Sequence, residues 1–147
     1  MITRNFSLQA VLDLRERAKD QAQDALSIAL RSRDSAAARC AEAAERLREL
    51  TGMMTGERFP AYQREQYWTA LNNQRDLLRA LEARLAKEDK IVASKRETLI
   101  AADRDLQLVL KLREKWLSNR NAAIARFEEK QMEDFITAQH VLQSAIP

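Results

Sequence analysis

Side chains that could catalyse a reaction or bind a metal are few in this chain and lie far apart. Cys40 and His140 are its only cysteine and histidine, about a hundred residues apart, so they cannot form a metal shell together. Glu129 and Glu133 lie one helical turn apart, which could indicate a carboxylate site. A two-metal bundle would need Glu-x-x-His pairs, however, and Thr137 stands three residues before His140. We interpret the segment EEKQMED as a charged surface.

The sequence also gives no support for phosphate binding or for nucleophilic catalysis. Both glycines, Gly52 and Gly56, lie in the decapeptide TGMMTGERFP at 51–60, so the chain has no glycine-rich phosphate loop. No serine or threonine has a histidine or lysine at a spacing that would activate it. We therefore predict a protein that is not an enzyme and that needs no metal or cofactor.

The composition also argues against a thick globular core. Of the 147 residues, 32% are charged and only 5% are aromatic, and alanine makes up much of the apolar fraction. Such a chain can fill a thin seam between helices. The net charge is +3, with the two signs interspersed, unlike the one-signed stripe of a nucleic-acid-binding protein. The single cysteine and the lack of a signal peptide or apolar span predict a cytoplasmic protein.

Two long helical patterns flank the decapeptide. In the second, an aliphatic residue recurs at every seventh position, which predicts a left-handed supercoil against a partner helix. The first pattern follows steps of four and three and is rich in alanine, although a line through Ala18 and Ala25 fits nearly as well. The first row is Leu8, Leu12, Arg15, Lys19, Ala22, Leu26, Ala29, Arg33, Ala36, Cys40, Ala43, Leu47 and Leu50. The second is Leu71, Leu78, Leu85, Val92, Leu99 and Leu106, with companions Tyr67, Gln74, Leu81, Glu88, Lys95, Ala102, Val109 and Trp116.

The decapeptide predicts the single bend between these patterns. Gly52 follows the last leucine of the first row, where a helix often ends in a left-handed residue. Pro60 suits the first turn of a new helix. We expect helix one at 6–51, a bend at 52–59 and helix two at 60–140, folded into one all-α, elongated, antiparallel two-helix coiled coil. Leu47 should then lie opposite the mid-60s and Leu12 near residue 100.

This register leaves residues 108–140 as an overhang without a partner in the chain. The overhang carries many large apolar side chains, so it should bind another molecule. An external partner and a second copy of the chain are both possible. The residues concerned are Leu110, Leu112, Trp116, Leu117, Ile124, Phe127, Met132, Phe135 and Ile136.

Two segments resemble the conserved ends of the FliJ family. FSLQAVLDLRERAKDQAQDAL at 6–26 resembles its N-terminal signature, and RFEEKQMEDFITAQH at 126–140 its C-terminal one. The resemblance implies the central stalk of the flagellar type III export apparatus, similar in shape to the stalk of rotary ATPases. It further implies contact with the hexameric export ATPase, the cytoplasmic domain of the export gate and export chaperones, and a peripheral position at the inner face of the cell membrane. Injectisome stalk proteins of the YscO class have the same shape and remain an alternative.

The resemblance also suggests where the partners bind. We expect the overhang and the N-terminal segment to contact the ATPase ring, and the aromatic residues beside the bend to contact the export gate. Those aromatic residues could instead close the hairpin tip against Leu47 and Leu50. A homodimeric scaffold and a nucleic-acid-binding helix pair are the other classes considered. The expected ring contacts are Arg4, Phe6, Leu112, Arg113, Trp116, Arg120, Phe127, Glu129 and Phe135, and the gate contacts are Phe59, Tyr62, Tyr67 and Trp68.

Overall fold

The fold is a helical hairpin. A computed structural model describes residues 4–56 and 60–146. It contains two helices, α1 at Gln9–Met54 with 46 residues and α2 at Ala61–Ser144 with 84 residues. No strand occurs within these two ranges. The all-α class and the longer second helix are confirmed.

Helix α1 ends later than expected, and its end is built differently. Gly52 lies inside the helix, and no described glycine has a positive φ, so the predicted left-handed cap at Gly52 is wrong. Thr55 closes the end instead: its amide donates to the Thr51 carbonyl at 3.2 Å and its Oγ1 to the Gly52 carbonyl at 3.0 Å. The last carbonyls of a helix lack a following turn and need such donors. The Pro60 carbonyl, just before α2, accepts the Gln63 amide at 3.0 Å.

Residues 19–101 form one compact unit, in which both helices pack along an alanine row. The buried α1 residues Ala22, Ala29, Ala36 and Ala43 recur at intervals of seven and are at most 7% exposed. They belong to the predicted row, whereas Ala18 and Ala25 of the shifted line are only partly buried. On α2, Leu71 and Val92 are buried and the other aliphatic residues of this unit's seven-residue row are partly buried. Small side chains on one helix allow large ones on the other to approach closely.

Two polar contacts fix the register of this unit. Gln74 Nε2 donates to the Ala43 carbonyl at 3.2 Å, and Arg33 Nε donates to Asp89 Oδ1 at 2.9 Å. The Asp89 carboxylate raises the pKa of Arg33 by hydrogen bonding and charge attraction. One turn beyond Ala43, Leu47 therefore lies near Leu71 rather than opposite the mid-60s. The expected register was wrong because α1 continues past Gly52 and moves the reversal along the chain.

The other compact unit contains residues up to 18 and from 102 onward. Its core consists of Leu12, which is 1% exposed, with Leu106 and Val109. Phe6 and Leu110 pack against this cluster. Leu12 thus contacts residues beyond 105, not the residues near 100 that were expected. Arg15 Nη1 also pairs with Asp105 Oδ2 at 3.3 Å, a half-exposed ion pair that contributes roughly 0–1 kcal/mol.

Candidate functional site

The N-terminal segment covers part of α2 that the sequence left without a partner. The Phe6 and Trp116 rings lie 5.6 Å apart between centroids, at an interplanar angle of 48°. The Phe6 carbonyl accepts the amide of Gln9, the first residue of α1, at 3.1 Å. Tilted aromatic pairs at this distance are attractive. Residues 4–8 thus extend the pairing beyond the start of α1, and the predicted overhang from 108 begins too early.

An arginine completes this aromatic cluster. The Arg120 guanidinium carbon lies 5.6 Å from the centroid of the Trp116 ring, which is cation–π geometry. Its Nε atom is buried and has no hydrogen-bond partner among the residues described. Neither terminal nitrogen bonds to a described residue or is buried without a partner, so both are accessible from outside the chain.

A shallow open groove runs along this cluster, and we call it the aromatic–arginine groove. Its lining brings together five of the nine expected ring contacts, namely Arg4, Phe6, Arg113, Trp116 and Arg120. No acidic side chain lines it. The local charge is therefore strongly positive, although the chain as a whole is almost neutral.

Beyond the groove, α2 continues without a covering helix. Every described residue from 125 onward is exposed, including Phe127 at 54%, Phe135 at 63% and Leu142 at 67%. With Ile124, these residues continue the steps of three and four that bury Leu106 and Val109 against α1. The same helix face is thus buried in one part of this unit and uncovered in the next. We call Ile124, Phe127, Phe135 and Leu142 the C-terminal stripe; at about 1.5 Å per residue it extends about 27 Å.

Charges beside the stripe change sign along the helix. Basic residues predominate from 111 to 126, where Glu114 is the acidic exception, and acidic residues predominate from 128 to 134, where Lys130 is the basic one; Glu129 is exposed. Glu129 and Glu133 belong to no group of three potential metal ligands within the described residues. Leu112 is half exposed and lies outside the groove. The basic residues are Lys111, Arg113, Lys115, Arg120 and Arg126, and the acidic ones Glu128, Glu129, Glu133 and Asp134.

The aromatic residues beside the bend differ in exposure. Tyr62 is 79% exposed and Trp68 is 54% exposed, so neither closes the hairpin tip. Tyr67 is partly buried, as its place in the companion row of the seam predicts. A shallow depression next to Trp68 is lined by Met54, Arg64 and Glu65. Phe59, the remaining expected gate contact, lies outside the described residues.

The sequence did not reveal that several expected contacts touch one another. In sequence, Phe6 lies near one end of the chain, while Trp116 and Arg120 lie in the expected overhang, so the sequence does not link Phe6 to the other two. The structure places them in one cluster because residues 4–8 lie against α2. The four-residue step from Trp116 to Arg120 was the available signal, since such pairs share a helix face.

Comparison with known proteins gives one match. A family model described as flagellar FliJ protein matches residues 4–144, nearly the whole chain. No curated protein and no solved structure matches. In the described part of the chain, no helix is long and apolar enough to span a membrane.

Proposed function

The chain belongs to the flagellar FliJ protein family, and we propose that it is the non-enzymatic central stalk of a flagellar protein export apparatus, bound to the export ATPase hexamer. The family is one of structural proteins of flagellar export rather than of enzymes. We place the chain in the cytoplasm at the inner face of the cell membrane, attached there through the export apparatus.

The uncovered C-terminal stripe carries this proposal. A helix face that is buried against α1 at Leu106 and Val109 continues over about five further turns with its apolar side chains exposed. Exposed apolar surface of this kind is typical of a binding site. The stripe is therefore the surface that we assign to the ATPase.

The arrangement of apolar residues favours a partner that encloses the helix. At about 100° per residue, Ile136 projects about 100° away from its neighbour Phe135, and Met132 lies between them in direction. Both are more than half exposed, as is Val141 on the other flank of the stripe. A flat surface would cover one face only, whereas the central opening of a ring can cover several.

Coupling to the ring needs no chemistry in the stalk. A stalk that contacts ring subunits unequally stabilises some of their conformations more than others. This difference in binding free energy would link hydrolysis to events elsewhere in the apparatus. Exposed charges along α2 would set orientation and association rate more than affinity.

The exposed aromatic residues at the bend support a second proposed contact. Tyr62 and Trp68 are large and exposed, and Met54 lines the same depression as Trp68. Aromatic residues and methionine are enriched in interfaces. We assign this end, with Phe59 and Tyr67, to the export gate, and we expect export chaperones among the partners without assigning residues to them.

Binding to the cognate export ATPase tests the proposal. The purified full chain should co-elute with the hexamer in size-exclusion chromatography and increase its ATP hydrolysis. A chain that leaves the ATPase unchanged and forms a stable dimer by light scattering would instead be a homodimeric scaffold, with two C-terminal stripes covering each other.

A further inference from the structure

The aromatic–arginine groove is lined by basic side chains and by no acidic side chain. Arg4, Arg113 and Arg120 all line it, and none of them forms an ion pair with a described residue. Most other described arginines also lack a carboxylate partner, and Arg15, Arg33 and Arg48 are the ones that have it. What distinguishes the groove is that three arginines line it together and no acidic side chain does.

Nearby carboxylates of the same chain do not serve the groove. Asp13 accepts a hydrogen bond from Gln9 Nε2 at 3.1 Å. Glu114 lines a neighbouring depression together with Arg113 and Lys111, but it does not line the groove, and no ion pair joins it to Arg113. No described carboxylate of this chain therefore occupies the groove, which leaves it open to an acceptor from another molecule.

The surroundings of Arg120 restrict its guanidinium before an acceptor binds. The guanidinium lies over the Trp116 ring and its Nε atom is buried, which restricts the side chain and leaves the two terminal nitrogens as the donors available to a partner. A planar guanidinium with two parallel N–H donors matches a carboxylate. Because its orientation is already restricted, less rotational freedom is lost on binding.

We propose that the aromatic–arginine groove binds an aspartate or glutamate side chain of the export ATPase, with Arg120 as the forked donor and Arg4 and Arg113 adding to the positive field. This inference rests on the proposed function and names the chemistry of the partner at that contact. The groove lies directly before the C-terminal stripe on α2, so one partner surface can cover both.

Charge along α2 favours a single carboxylate over a polyanion. Glu128 and Glu129 lie about two turns beyond Arg120, and both are exposed. A nucleic acid in the groove would continue towards these side chains and be repelled, whereas one carboxylate ends at the groove.

Matched substitutions in the full chain test the carboxylate. Arg120→Gln removes the fork, and Arg79→Gln removes the same charge from an exposed site on α2 that lies in the unit of residues 19–101 and does not line the groove. We expect Arg120→Gln to weaken binding to the ATPase hexamer about tenfold or more, and Arg79→Gln less than about threefold. Arg120→Lys should bind with intermediate affinity because a lysine keeps the charge but lacks the fork.

Two further measurements distinguish loss of the carboxylate contact from loss of the groove itself. In a Trp68→Phe chain, Trp116 is the only tryptophan, so its emission reports whether each variant keeps the groove and whether the ring covers it. Acidic residues of the ATPase can then be changed to arginine one at a time against Arg120→Glu. Recovery of binding by one such pair is the expected result.

Each outcome decides between explanations. Equal losses for Arg120→Gln and Arg79→Gln, full binding by Arg120→Lys, or competition by single-stranded DNA that depends on Arg120 would overturn the carboxylate proposal and leave the stalk assignment intact. Failure of the unaltered chain to bind the ATPase would overturn both.

Discussion

Removing the two phenylalanines of the C-terminal stripe should separate partner binding from folding. Phe127 and Phe135 are 54% and 63% exposed in the free chain, so a partner that covers them buries more than half of each residue's surface. Full burial of a phenylalanine contributes about 1.5–3 kcal/mol. The part still available here is then about 1–1.5 kcal/mol for each ring.

The double variant Phe127→Ala/Phe135→Ala should therefore lose about 2–3 kcal/mol of binding free energy, which corresponds to an affinity about 30- to 150-fold weaker. Alanine favours helix, so the helical content should not fall. Isothermal titration calorimetry against the cognate export ATPase measures the loss, and circular dichroism checks the helix. The loss should persist at high salt because burial of apolar surface is not screened.

A matched pair of isoleucines serves as the control. Ile28 and Ile100 are also more than half exposed but lie in the unit of residues 19–101. Changing both to alanine should alter the affinity less than about threefold, as expected for surface residues outside an interface. The reasoning is refuted if the two double variants behave alike, or if the phenylalanine pair changes the affinity by less than about threefold.

Three other predictions concern stability and the second partner. Ala36→Leu should overpack the alanine row and cost about 1–3 kcal/mol in urea unfolding, and an unchanged midpoint would mean that the helices are not closely packed there. Leu12→Ala, at a fully buried site, should lower the free energy of unfolding by about 2–5 kcal/mol. Leu85→Ala, at a partly buried site, should lower it by about 1–3 kcal/mol. A larger loss for Leu85→Ala in the same unfolding assay would contradict the burial pattern. Tyr62→Ala/Trp68→Ala should weaken pull-down of the export-gate cytoplasmic domain without changing the circular dichroism spectrum, and unchanged binding with lost helicity would make these residues structural.

The pairing of the helices followed from sequence because it depends on local repeats. Aliphatic residues at every seventh position of α2 identify the face that packs, whatever the partner. The alanine row of α1 was predicted from the same kind of repeat. Where the sequence offered two lines, burial of Ala22 rather than Ala25 decided between them.

Register could not be read in the same way. Sliding one helix by seven residues keeps every apolar position on the seam, so the repeat leaves the register open. The choice depends on the end of α1, which continues through Gly52 to Met54. It also depends on the side-chain contact of Gln74 with the Ala43 carbonyl.

The groove escaped prediction for a related reason. Phe6 and Trp116 are 110 residues apart in sequence, and their contact requires both the correct register and an N-terminal segment that lies against α2. An error of one or two turns moves the groove to other residues. The grouping of the expected ring contacts into one cluster therefore needed the structure.

Cross-linking from the C-terminal stripe tests the stalk assignment most directly. A photoreactive benzophenone amino acid in place of Phe135 should give, on irradiation in cells, an adduct between this chain and the export ATPase. The same amino acid in place of Ile28, which is equally exposed, should give no such adduct. An adduct from position 135 only to a second copy of this chain, with none to the ATPase, would contradict the assignment.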